Sequence, residues 1–165
     1  MRINLSAQSI NSTAPYAVRS DNGRFFTFYT RLGQLYEVGF VEDNMLSDDG
    51  MIYQFFITNR DGPPHTLDIN IHKTIVAILE EFFRMTNMSI VYICDTHDGR
   101  QAARQRLFKM WFNSYPRKNL YRLVSRELIV DNIPYYVNLL ARKDMPSLQS
   151  RIEALDSLYQ TLLEK

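Results

Sequence analysis

The stretch Ser89–Cys94, SIVYIC, constrains the fold more than any other part of this chain. Its six residues alternate no polar side chains with the apolar ones, so neither face is suited to water. A strand of that kind belongs inside a sheet covered on both sides. It is bracketed by two helix-like segments, which supply the cover. The residues before it, Ile71, Ile75, Ile78, Leu79 and Phe82, recur at helical spacing. Asp68 stands where it can accept from the first free amides of that helix, which is expected to run to about Thr86. After the strand, Asp98 and Gln101 are spaced as a capping box, and Ala103, Leu107, Met110 and Trp111 form the expected buried stripe of a second helix.

Strands precede this unit. Asn22-Gly23 suits a tight turn of positive φ, and RFFTFYTR after it is aromatic and β-branched. LYEVGFVE follows Gly33, with Tyr36, Val38, Phe40 and Glu42 as the likelier inward set. MIYQFFIT, after the acidic turn DNMLSDDG, is a third strand. Pro63-Pro64 removes two donors and fixes two φ angles, so RDGPPH is a loop. Beyond the second helix, LYRLVSREL and IPYYVNLLARK pair as a hairpin about Asp131-Asn132. Pro146 opens a last helix whose apolar side carries Leu148, Ile152, Leu155, Leu158 or Tyr159, and Leu162. The expectation is an α+β fold in the order β-β-β-α-β-α-β-β-α, with three helices on a mixed, mostly antiparallel sheet. Residues 1–165 are expected to form one domain, with 1–14 a loosely held segment.

Function is less legible. No apolar run reaches the about 18 residues that a membrane span needs, and the N-terminus lacks the apolar stretch of a secretory signal. Cys94 is the single cysteine, which fits a reducing compartment, and a cytoplasmic location without membrane contact is expected. Inside an apolar strand a thiol is an inert small hydrophobe rather than a nucleophile. His65, His72 and His97 share no i,i+3 or i,i+4 spacing, so no metal set is expected. Neither a Walker-type nor a dinucleotide-type glycine loop is present, and no cofactor is expected.

The net charge of +1 hides an asymmetry. From Gln34 to Asp98 there are eleven acids and three bases; from Gly99 to Arg126 there are eight bases and no acid. Such a block is either a solvated surface or the footprint of an anionic ligand or acidic protein surface. Its Phe108, Trp111, Phe112, Tyr115 and Tyr121 would also suit single-stranded nucleic acid. The sequence pI of about 7.8 argues against a dedicated nucleic-acid binder. Any functional surface is expected at the strand-to-helix junction of Asp95, His97, Asp98, Arg100 and Arg104. There a buried strand ends, a helix N-terminus begins and two arginines four apart could grip one anion. The competing arrangement is Arg104 paired internally, with Glu80 or Glu81 as the acid. Nothing in the sequence sets the oligomeric state.

The phrase IVYICDTHDGRQAARQRLFKMWF resembles the signature of a family of short bacterial proteins of unknown function, across most of residues 24–144. The element order is more remotely similar to the core of the GNAT N-acyltransferase superfamily. That resemblance implies a coenzyme A loop after the third strand and a tyrosine general acid on the helix after the fourth. Here the loop reads TNRDGPPHTLDIN, with one glycine and two prolines, and Phe108 stands where the tyrosine would fall. It therefore implies a degenerate scaffold with a binding or adaptor role, or an acyltransferase with an atypical loop. An RNase H-like nuclease has a similar opening order and would use Asp95 with Glu80 or Glu81, although RFFTFYTR lacks that family's leading acid.

Overall fold

A computed structural model describes residues 3–44, 51–62 and 68–163, the last span without the side chains at 159 and 161–163. The elements are α1 (Ala7–Asn11), β1 (Phe25–Tyr29), β2 (Leu35–Glu42), β3 (Ile52–Asn59), α2 (Ile69–Met85), β4 (Ser89–Ile93), α3 (Gln101–Ser114), β5 (Tyr121–Val130), β6 (Ile133–Arg142) and α4 (Leu148–Leu163). Six strands make one mixed, mostly antiparallel sheet in the order β1-β2-β3-β4-β6-β5. The expected fold class and element order are observed, with a short fourth helix added at the N-terminus. Contacts divide the chain into two compact units, residues up to 41 with 55–87, and 42–54 with 88 onward.

In the first unit the inward set of β2 is Tyr36, Val38 and Phe40, each at most 6% exposed, whereas Glu42 is exposed. Phe40 stacks on Phe82 of α2 at 4.8 Å between ring centroids. Asp68 caps α2 as the sequence implies, accepting from the Asn70 N–H at 2.9 Å. Residues 3–14, expected to be loosely held, are instead built into this unit. Ser6 caps α1, Ile3, Leu5 and Ile10 are buried, and the Leu5 N–H donates to the Gly23 carbonyl at 2.9 Å. Three apolar residues so widely spaced leave no periodic signal, yet each finds a core position. Gly23 has φ +70°, as the tight turn expected there requires, and a single bridge, Arg19 to Thr27, closes across it.

In the second unit β4 lies inside the sheet, as SIVYIC requires, and is buried from Ser89 to Tyr92; Ile93, at its end, is 47% exposed. β5 and β6 form the expected hairpin, and Asp131 and Asn132 hold its turn at φ +52° and +66°. One face of this unit packs Val91, Val124 and Leu139 against Ile152 and Leu155 of α4. The other face is covered by α3, and here the expected stripe is out of phase. Ala103 and Met110 are exposed, while Gln101, Gln105 and Phe108 are buried. Polar partners beneath the helix decide this. Gln101 and Gln105 turn inward because β6 offers them hydrogen bonds, which apolar spacing cannot reveal.

Candidate functional site

The junction Asp95–Arg104 is organised by Asp98. Its Oδ1 accepts from the Arg100 N–H at 3.1 Å, and its two oxygens accept from Arg104 Nη1 and Nη2, both at 2.7 Å. Arg104 Nη1 also donates to the Asp95 carbonyl at 2.9 Å. The two-pronged pair holds the Asp98 carboxyl well below the usual carboxylate range. Arg104 is thus paired internally with Asp98, six residues away, and not with Glu81, which takes Arg84 at 2.7 Å and the Ser9 hydroxyl at 2.8 Å instead. The capping box is not formed: Gln101 faces inward, and no side chain caps α3. Asp95 Oδ1 accepts from the His97 N–H at 2.9 Å, and both side chains are exposed. Arg100 is exposed and makes no side-chain hydrogen bond or ion pair among the described residues.

Beneath α3 lies a buried polar network that the sequence did not reveal. Asn138, fully buried on β6, donates to Gln105 Oε1 at 2.7 Å and to the Tyr92 carbonyl at 3.2 Å. Its Oδ1 accepts from Gln105 Nε2 at 2.8 Å and from the Ser125 hydroxyl at 2.6 Å. The Cys94 thiol donates to Gln105 Oε1 at 3.3 Å. Burial pushes that thiol up to about 11. Gln101 Nε2 donates to the Pro134 carbonyl at 3.1 Å, leaving its buried Oε1 without a donor among the described residues. Neutral amides, a hydroxyl and a protonated thiol fix the register of α3 over the sheet. They supply neither a strong base nor an activated nucleophile. Phe108 packs on Tyr92 at 4.7 Å between ring centroids.

Ser125 connects the network to the surface. It lines a groove of about 340 Å³ together with Leu123 on β5 and Lys109, Phe112 and Asn113 on α3. Arg106 and Lys109 are exposed on α3, Lys118 on the turn that follows and Arg122 on β5. None of these four cations has an ion pair or side-chain hydrogen bond among the described residues. Arg126 differs, since its Nε donates to Asp156 at 2.8 Å. The acid-free block therefore leaves free positive charge on α3 beside a groove of mixed lining, and at Arg122 on the opposite side of β5. In the sequence the charge was readable, but the groove was not, because β5 and the end of α3 meet only in the fold.

Among the described residues no three His, Cys, Asp or Glu side chains cluster closely enough to hold a metal ion, and no helix is long and apolar enough to cross a membrane. His65 and the Pro63-Pro64 part of the loop compared with the coenzyme A loop lie outside the described residues. No curated protein and no solved structure matches the chain. A family profile covers α2 through most of α4, the segment that carries the network and the groove. On that match, over residues 67–157, the chain belongs to DUF6169, a family of unknown function.

Proposed function

We propose that this protein is a non-catalytic binding domain that engages an acidic protein surface through the basic face of α3 and β5. The observation that carries this reading is the set of four unpartnered cations, Arg106 and Lys109 on α3, Lys118 after it and Arg122 on β5, of which Lys109 lines an open groove. Exposed charges held without counterions are free to meet an anionic partner, and complementary charge speeds and orients such encounters. Arg100 extends the face toward the junction. Asp98 and Arg104 hold that loop in place, and Asp95 fixes the backbone at His97.

The alternative is an acyltransferase on the same scaffold. It is favoured by one observation, the order of three strands, helix, strand, helix and closing hairpin. Thermal melting separates the two. Poly-L-glutamate at low salt should raise the melting temperature, and the shift should fade as salt screens the charges. Acetyl-CoA should leave it unchanged. A ligand at a hundred times its dissociation constant stabilises by about 2.7 kcal/mol, so a bound coenzyme would be plain. A shift with acetyl-CoA and none with polyglutamate would overturn the binding-domain reading.

A further inference from the structure

We propose that the outer edge of β5 takes up an extended acidic peptide as a seventh strand, with its inward side chains in the groove beside α3. This rests on the basic-face reading above and specifies its partner.

Strand β5 pairs along all ten residues with β6 and ends the sheet, so its other side is an edge. Which groups that edge presents follows from the turn. Val130 and Ile133 flank a two-residue turn and form a hydrogen-bonded pair, and bonded pairs alternate along an antiparallel ladder. Even-numbered residues of β5 therefore face β6. At the far end of the hairpin the alternation holds, since the Leu120 carbonyl accepts from the Lys143 N–H at 2.9 Å. The N–H and C=O of Leu123, Ser125, Glu127 and Ile129 consequently point outward. The Ser125 carbonyl shows this directly by accepting from Arg126 Nη1 at 3.0 Å, a bond an incoming strand would share or displace.

These outward-pointing residues are the ones whose side chains lie on the α3 side, where Leu123 and Ser125 line the groove. The free backbone edge and the groove are therefore two sides of one site. A strand added to β5 would place alternate side chains over Leu123 and Phe112 and the others toward solvent. At one end of this edge Lys109 stands on the α3 side and Arg122 on the opposite side of β5, which calls for acidic residues there. At the other end Ile129 is 61% exposed and Val130 38%, which calls for apolar ones.

Charge also decides against a second copy of this chain. An isologous contact would bring Arg122 and Lys109 of a second copy to those already here, with Glu127 as the acid that β5 offers and Arg126 already held by Asp156. Cations on an edge strand deter pairing with like or neutral edges. The same cations favour an acidic one.

The test uses the full chain and a ten-residue peptide of alternating Glu and Val, compared with the same peptide N-methylated at every second amide on its pairing edge. Binding is read by anisotropy and by hydrogen exchange at single amides. The unmodified peptide should bind and slow exchange at Leu123, Ser125 and Glu127 by about tenfold or more, while the N-methylated peptide binds at least about tenfold more weakly. Glu127→Pro, which removes one outward donor at an exposed edge position, should weaken binding similarly, provided its melt matches that of the parent. Equal binding of both peptides with no protection at β5 would overturn strand addition while leaving the basic face standing. Tighter binding of a single-stranded oligonucleotide than of either peptide would overturn the peptide assignment. No binding of peptide, polyglutamate or oligonucleotide would remove both this inference and the reading beneath it.

Discussion

Removing Asn138 should show that the network under α3 is a coupled unit and not a set of separate bonds. Asn138 is fully buried and supplies four hydrogen bonds, two to Gln105, one to the Tyr92 carbonyl and one from Ser125. In Asn138→Leu the Gln105 Nε2 loses the only partner it has among the described residues, whereas Gln105 Oε1 keeps the Cys94 thiol and Ser125 can turn to the groove. One buried donor is thus stranded outright, at about 1–3 kcal/mol, and the Tyr92 carbonyl is weakened. The expected loss is about 3 kcal/mol. Gln105→Met leaves Asn138 with the Tyr92 carbonyl and the Ser125 hydroxyl but strands one of its N–H groups and takes the acceptor of the Cys94 thiol, and should cost about 2 kcal/mol. The double variant leaves neither amide unpaired and replaces both with apolar groups of similar size. It should therefore lie only about 2 kcal/mol below the parent, giving a favourable coupling of about 3 kcal/mol. Urea unfolding followed by the fluorescence of Trp111, the single tryptophan, measures all four corners of the cycle. Losses that simply add to within about 0.5 kcal/mol would refute the reasoning and make the two amides independent.

Three further outcomes follow from the packing. At pH 8 a thiol raised to about 11 is about 0.1% thiolate, against about a quarter in the unfolded chain, so native Cys94 should react with a thiol reagent at least about a hundredfold more slowly than in denaturant; equal rates would contradict its burial. Asp98 is depressed in the fold, so its stabilisation is complete above its unfolded value of about 4 and is lost as pH falls toward the folded one. The stability gap between the parent and Asp98→Asn should therefore narrow below about pH 4, and a gap constant from pH 7 to pH 2 would count against the pair with Arg104. At Gly23 an added Cβ would lie 2.3 Å from Asn4 Oδ1 and 2.8 Å from the Leu5 nitrogen, whereas at Gly33 it meets nothing within 4 Å. Both glycines have positive φ, so Gly33→Ala should cost about 1 kcal/mol and Gly23→Ala clearly more; equal effects would mean that the N-terminal segment is not packed as described.

Much of the fold could be read from residues with strong local meaning. Asp68 before the isoleucine stripe marked α2, Asp131-Asn132 marked the hairpin, and the unbroken apolar run marked the inner strand. The phase of α3 could not be read this way. Ala103, Leu107, Met110 and Trp111 make a convincing apolar stripe, but the helix is held by Gln101 and Gln105. Their partners, Pro134 and Asn138, lie 33 residues further on. A buried amide pair carries no hydrophobic signal, so only the spacing of two glutamines four apart could have pointed to it. The internal partner of Arg104 is Asp98, six residues away, and not an acid of α2, because the turn before α3 already sets a carboxylate within reach of its guanidinium. The acid-free block was visible as charge. Its groove required the approach of β5 to α3.

Free charge on α3 and β5 should bind an anionic partner, and one titration decides whether it does. Trp111 lies next to groove residue Phe112, so its fluorescence can report binding there. Titration with poly-L-glutamate at low and high salt should be done on the parent and on the Arg106→Ala, Lys109→Ala, Lys118→Ala, Arg122→Ala variant. The parent should show a saturable change that weakens with salt and is lost in the variant, while both melt at the same temperature. Undiminished binding by a folded variant would contradict it.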